Sequence, residues 1–137
     1  MSAPPAPQEP TAAEQLKSRG GLVRVWRALG YSRAGFAAAF HHEAAFRQEL
    51  LLGVPMVIAA WWLAPTLMQA VALVAVVVLV WVVELINSAI EALADSISQD
   101  RHPLLGRAKD LGSAAVMLSL LLAGLTWAAV LGARWFG

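Results

Sequence analysis

The stretch ELINSAIEALAD, Glu84 to Asp95, decides how this chain folds and where its chemistry sits. It closes an apolar run that begins near Leu67, and so reads as the end of a membrane-spanning helix carrying two glutamates, an asparagine and an aspartate. At roughly 100° per residue, Glu91 and Asp95 fall within about 20° of Glu84, with Asn87 about 60° off that line. The result is a polar stripe backed by Leu85, Ile86, Ile90 and Leu93. Ionisable groups at membrane depth are costly and persist where something offsets the cost. The stripe is therefore a candidate site.

The rest of the chain supports a membrane setting. Its 137 residues make one domain that is 59% hydrophobic and 14% charged, against about 25% charged in soluble domains. Mean hydropathy is +0.64. No charge lies between Glu49 and Glu84, and Leu111 to Ala133 is a second charge-free stretch. Such lengths fit helices that span a bilayer, which need about 20 residues each. With no cysteine, disulfides and thiolate metal sites are excluded. A net charge of +1 is too small to imply a nucleic-acid partner.

Ala64-Pro65-Thr66 interrupts the first charge-free stretch and suits a turn between antiparallel helices. The expected fold is an all-α membrane protein with three transmembrane helices, over about residues 49–63, 66–94 and 111–135. Pro55 falls inside the first span, whose helix is expected to start before Glu49. Nine of the ten basic residues precede the first span or lie between the second and third. The positive-inside rule then puts the N-terminus in the cytoplasm and the C-terminus outside. Trp61, Trp62 and Trp135 belong in the outer interfacial belt.

Residues 1–18 hold Pro4, Pro5, Pro7 and Pro10 and read as a disordered tail ahead of a domain over residues 19–137. From Leu22 to Leu29, apolar residues mix with Arg24 and Arg27, the pattern of an amphipathic helix on the inner leaflet. After Gly30-Tyr31-Ser32 a second segment, Arg33 to Glu49, completes surface helices over about residues 21–48. Glu43 and Arg47 are spaced to pair across one turn.

Depth divides the stripe. If α-helix enters the outer face near Thr66, Leu67 to Val83 covers about 25 Å, leaving Glu84 at the inner edge of the hydrocarbon. Glu91 lies about 10 Å nearer the cytosol. Glu84 is placed to act as a general base towards the hydroxyl of a lipid. Glu91 and Asp95 suit a hard cation such as Mg²⁺, which takes one or two carboxylates plus phosphates. A helix-packing interface, or the ion site of a small transporter, remains open on the stripe alone. Arg107, Lys109 and Asp110, in an expected loop beside the third span, favour a nucleotide triphosphate and its metal. Gly112, Ser113, Ala114 and Ala115 supply a small-residue face for close packing. No GxxxxGK[ST] loop, HRD or DFG pattern is present, so a soluble kinase scaffold is excluded. Three helices do not readily bury four polar residues, so a homo-oligomer is expected.

Three motifs in order, EAAFRQE at Glu43 to Glu49, ELINSAIEALAD, and GRAKDLGSAAV at Gly106 to Val116, resemble the bacterial integral-membrane diacylglycerol kinases. The likeness runs from about Gly21 to the C-terminus. It implies a homotrimeric helical bundle in the bacterial inner membrane, with a periplasmic C-terminus, that transfers phosphate from MgATP to diacylglycerol. It makes Glu84 the catalytic base and Glu43 with Glu91 the Mg²⁺ ligands. Around the nucleotide it places Arg24, Tyr31, Glu43, Glu91, Asp100, Arg101, His102, Lys109 and Asp110. As lipid-binding residues or support of the active site it places Ala45, Phe46, Arg47, Gln48, Glu49, Asn87, Asp95 and Ser113. Three departures stand out. His42 replaces a common asparagine, Ala37 replaces an often basic residue, and His102-Pro103-Leu104 looks more like the related undecaprenol kinases. EAAFRQE, GSAA and the basic surface helix favour the diacylglycerol branch.

Overall fold

A computed structural model describes residues 21–98 and 102–136 of the chain. The expected tail over residues 1–18, together with Asp100 and Arg101, lies outside the described residues. All regular structure among these residues is helical, in four elements: α1 (Gly21–His42), α2 (Ala44–Leu63), α3 (Leu67–Ile97) and α4 (Pro103–Phe136). The last three are each long and apolar enough to cross a membrane. The chain divides into two compact units, Met1–Ala37 and Ala38–Gly137. The described part of the first is helix with Trp26, Leu29 and Tyr31 exposed. The second holds the bundle.

Boundaries follow local chemistry. Thr66 caps α3: its Oγ1 accepts from Gln69 N–H at 3.3 Å and donates to Gln69 Oε1 at 3.0 Å, satisfying a donor that the first turn leaves free. Ala64 is extended, and Pro65 follows where the chain must reverse. Pro55 sits inside α2 without ending it. Proline removes one helical hydrogen bond, a loss that transmembrane helices tolerate.

Two expectations are revised. Gly30-Tyr31-Ser32 does not break the surface segment; α1 runs through it, and the break falls at Glu43, which is extended at φ −103° and ψ 112°. The expected loop around Arg107 and Lys109 is helix from Pro103 onward. Proline is pre-organised for a first helical position, and the following residues are good helix formers. The third span is thus the C-terminal part of a longer rod.

α3 is the central element and packs against both α2 and α4. The core between them is Ala60, Leu73, Val77, Trp127 and Val130. At the turn end, Arg134 Nη1 donates to the carbonyls of Leu63 (2.7 Å) and Trp62 (3.4 Å), which α2 leaves unsatisfied at its C-terminus. Trp61, Trp62 and Trp135 are exposed at that same end. The opposite end carries Glu91, Asp95 and Lys109.

Candidate active site

α3 lays the polar stripe along a gradient of burial. Glu84 is 4% exposed and Asn87 8%, Glu91 is half-buried and Asp95 is exposed. Each member has a defined neighbour. Asn87 Nδ2 donates to Glu91 Oε1 at 3.1 Å, one turn away. Asp95 Oδ1 pairs with Lys109 Nζ at 2.8 Å, joining the end of α3 to the start of α4. Where α3 and α4 cross, a methyl group at Gly112 would overlap Asn87 Oδ1, so glycine permits the approach. That oxygen is buried and has no hydrogen-bond partner among the described residues.

α2 contributes from the other side. Glu43 sits at the joint before it, and Gln48 and Glu49 follow within its first two turns. Glu84 lies within electrostatic reach of Glu91 and Glu43, and Glu49 within reach of Glu84. Lys109 also feels Glu91. Glu84 therefore has three other carboxylates, Glu43, Glu49 and Glu91, within electrostatic reach, an arrangement that protons or a cation would relieve of like-charge repulsion. The expected Glu43–Arg47 pair is replaced by a different device. Arg47 Nη1 donates to the carbonyls of Phe40 (3.0 Å) and His41 (3.2 Å), capping the C-terminus of α1. Cation and helix dipole favour that geometry, and it holds Glu43 at the joint with its carboxylate unclaimed by Arg47.

Between the three long helices lies a cavity of about 510 Å³. Because α2 and α3 are antiparallel, Glu49 and Glu84 share its head while Met56 and Val77 mark its foot. Leu120 and Gly124 of α4 close the third side. Ala45 and Gln48 border the entrance near Glu49. An apolar cleft with a few convergent polar groups is the usual form of a small-molecule site. Here the lining is apolar apart from Gln48, Glu49 and Glu84.

Among the described residues no three carboxylate or imidazole side chains are gathered to hold a metal unaided. One or two carboxylates are what Mg²⁺ takes when phosphates complete its shell, and Glu43 and Glu91, both within electrostatic reach of Glu84, are of that donor type.

The remaining expected residues divide. Asp110 and Ser113 are exposed near the start of α4. His102 is exposed, and its Nδ1 accepts from Leu104 N–H at 3.3 Å, so it caps α4. Phe46 is buried and serves packing. Arg24 and Tyr31 belong to the first unit, where both are exposed. Sequence reasoning passed over Gly53 and Trp81, which line the cavity directly beside the carboxylates. The signal was available: Trp81 stands about one helical turn before Glu84 and so shares its face of the helix.

The family model described as prokaryotic diacylglycerol kinase matches residues 30–131. A diacylglycerol kinase of Pseudomonas aeruginosa is 48% identical over 116 residues, 85% of this chain and 94% of that protein. One from Escherichia coli K12 is 46% identical over 111 residues, covering 81% and 91%. One from Helicobacter pylori is 38% identical over 107 residues, covering 78% and 84%.

Proposed function

Since the chain belongs to the prokaryotic diacylglycerol kinase family, we propose that it is an ATP-dependent lipid kinase that converts diacylglycerol to phosphatidic acid. The observation that carries the site assignment is Glu84, a carboxylate 4% exposed at the head of an apolar cavity of about 510 Å³. The acyl part of the substrate enters the cavity and its free hydroxyl meets Glu84. Glu84 takes the hydroxyl proton as the oxygen attacks the γ-phosphorus in line, the phosphoryl group passes to that oxygen, and ADP leaves. Glu49 Oε2, buried without a partner among the described residues, meets the polar head beside it.

Glu43 and Glu91 would hold Mg²⁺, which when bound supplies charge neutralisation at the β- and γ-phosphates. Asn87 keeps the Glu91 carboxylate aimed through its 3.1 Å hydrogen bond. Lys109, drawn to the same end by Asp95, offsets charge developing on the transferring group. Arg24, Tyr31, Asp100, Arg101, His102 and Asp110 are read as nucleotide contacts, and Ala45, Phe46, Arg47, Gln48 and Ser113 as support of the lipid side. We read the chain as a homotrimer in the bacterial inner membrane, with the carboxylate end at the inner leaflet and the Trp61–Trp62 end outside.

The test is radiolabelled phosphate transfer from ATP with diacylglycerol and undecaprenol offered side by side. Diacylglycerol should be labelled in preference. Glu84→Gln should lose at least about 10²-fold in turnover, the usual scale for a general base, with nucleotide binding retained. Parent-level turnover in Glu84→Gln would remove that residue from the reaction, and preferred labelling of undecaprenol would move the chain to the other lipid alcohol.

A further inference from the structure

Trp81 combines three properties that an ordinary packing residue lacks. It lies one turn from Glu84 on the same face of α3, and its ring forms part of the cavity wall. Its indole Nε1–H donates across to the Glu49 carbonyl oxygen on α2 at 3.3 Å. Its ring is also seated directly on backbone. A Cβ added at Gly53 would stand 2.7 Å from Trp81 Cζ2 and 3.0 Å from its Cε2. The same atom would stand 2.9 Å from Val77 Cγ1.

These contacts fix where the ring can go. The hydrogen bond to Glu49 holds its polar edge against α2. Val77, 4% exposed and stiff at Cβ, blocks retreat along α3. The remaining free space beside the indole is the cavity itself. The distance between the indole and α4 therefore sets the width available immediately below Glu84, and bare backbone at Gly53 keeps that width at its maximum.

We propose that Trp81, seated on Gly53, is the specificity-determining wall of the lipid cavity, admitting the straight acyl chains of diacylglycerols and excluding lipid alcohols with methyl-branched tails. The proposal rests on the cavity being the lipid site of a kinase. A tail too wide to pass the indole cannot descend, so its hydroxyl stops short of Glu84, and small displacements from attack geometry cost large factors in rate. One methylene of misfit in an apolar pocket is worth roughly 10- to 200-fold in kcat/KM, which is enough to separate the two classes.

The experiment uses the purified full-length chain with MgATP and three lipids: dioleoylglycerol, diphytanoylglycerol and undecaprenol. The proteins are the parent, Trp81→Leu, Gly53→Ala and the double variant. Trp81→Leu should raise the ratio of kcat/KM for diphytanoylglycerol over dioleoylglycerol by about tenfold or more, with KM for MgATP unchanged. Gly53→Ala should push the indole into the cavity and depress dioleoylglycerol turnover, and adding Trp81→Leu should restore it. Trp81→Leu reads the wall by itself, whatever the stability of Gly53→Ala. An active parent whose lipid ratio is unmoved in Trp81→Leu overturns the wall alone, as does a uniform loss across lipids and MgATP. A parent that phosphorylates none of the three overturns the kinase reading and the wall with it.

Discussion

Replacing Gly112 with alanine adds one methyl group outside the cavity lining, one turn before Val116 on α4, yet it should impair use of MgATP. The methyl would overlap Asn87 Oδ1 and would also come within 3.8 Å of Asn87 Cα. Asn87 is 8% exposed, so its amide has little room to turn, and turning breaks the 3.1 Å bond that holds Glu91. A hydrogen bond to a charged group contributes about 1.5–3 kcal/mol, and each ~1.4 kcal/mol is tenfold in rate. The expected result is a loss of about 10- to 100-fold in kcat/KM for MgATP, with the KM for diacylglycerol close to the parent's. Overpacking adds about 1–3 kcal/mol of destabilisation, so thermal unfolding is measured alongside initial rates. Asn87→Ala removes the same hydrogen bond without the clash, and the double variant should cost little beyond either single change. Gly132→Ala is the control, because nothing lies within 4 Å of a Cβ there. A Gly112→Ala enzyme with the parent's MgATP dependence would refute the route through Asn87.

Thr66→Ala should lower the stability of the turn end by about 1 kcal/mol, the usual cost of a lost helix cap, with specific activity retained; an unchanged unfolding midpoint would show that the cap contributes nothing. The Lys109–Asp95 pair is 39% and 63% exposed on its two side chains, so Asp95→Asn should cost under about 1 kcal/mol of stability. Lys109→Met should instead reduce phosphoryl transfer by about 10²-fold, and equal small effects of both changes would reduce Lys109 to a strut.

The spans were legible because charge-free runs of bilayer length have few other uses, and Ala64-Pro65-Thr66 punctuates the longest of them. The stripe was legible because helical periodicity needs no tertiary information. The joint at Glu43 was hidden. Gly30 and Ser32 look like breakers, but each costs a helix about 1 kcal/mol or less. The actual break is held by Arg47 reaching back to two carbonyls, a choice no local pattern reveals. The helix from Pro103 was hidden by its charges, which on a membrane chain suggest a loop. The cavity was least visible, since it exists only where three helices each present a few side chains. Gly53 and Trp81 lie 28 positions apart in the chain, and their contact depends on the register between α2 and α3.

α3 has 31 residues and α4 has 34, about 46 Å and 51 Å of rod at ~1.5 Å per residue, against a hydrocarbon thickness of about 30 Å. Glu84, Glu91 and Lys109 ride on these same rods, with no flexible loop between them and the buried segments. Their height above the hydrocarbon is therefore dictated by how the rods sit in the bilayer. Tilt absorbs part of any mismatch, but it moves the whole cluster as one body. The same rigidity means that any tilt or vertical shift of the rods displaces Glu84, Glu91 and Lys109 together.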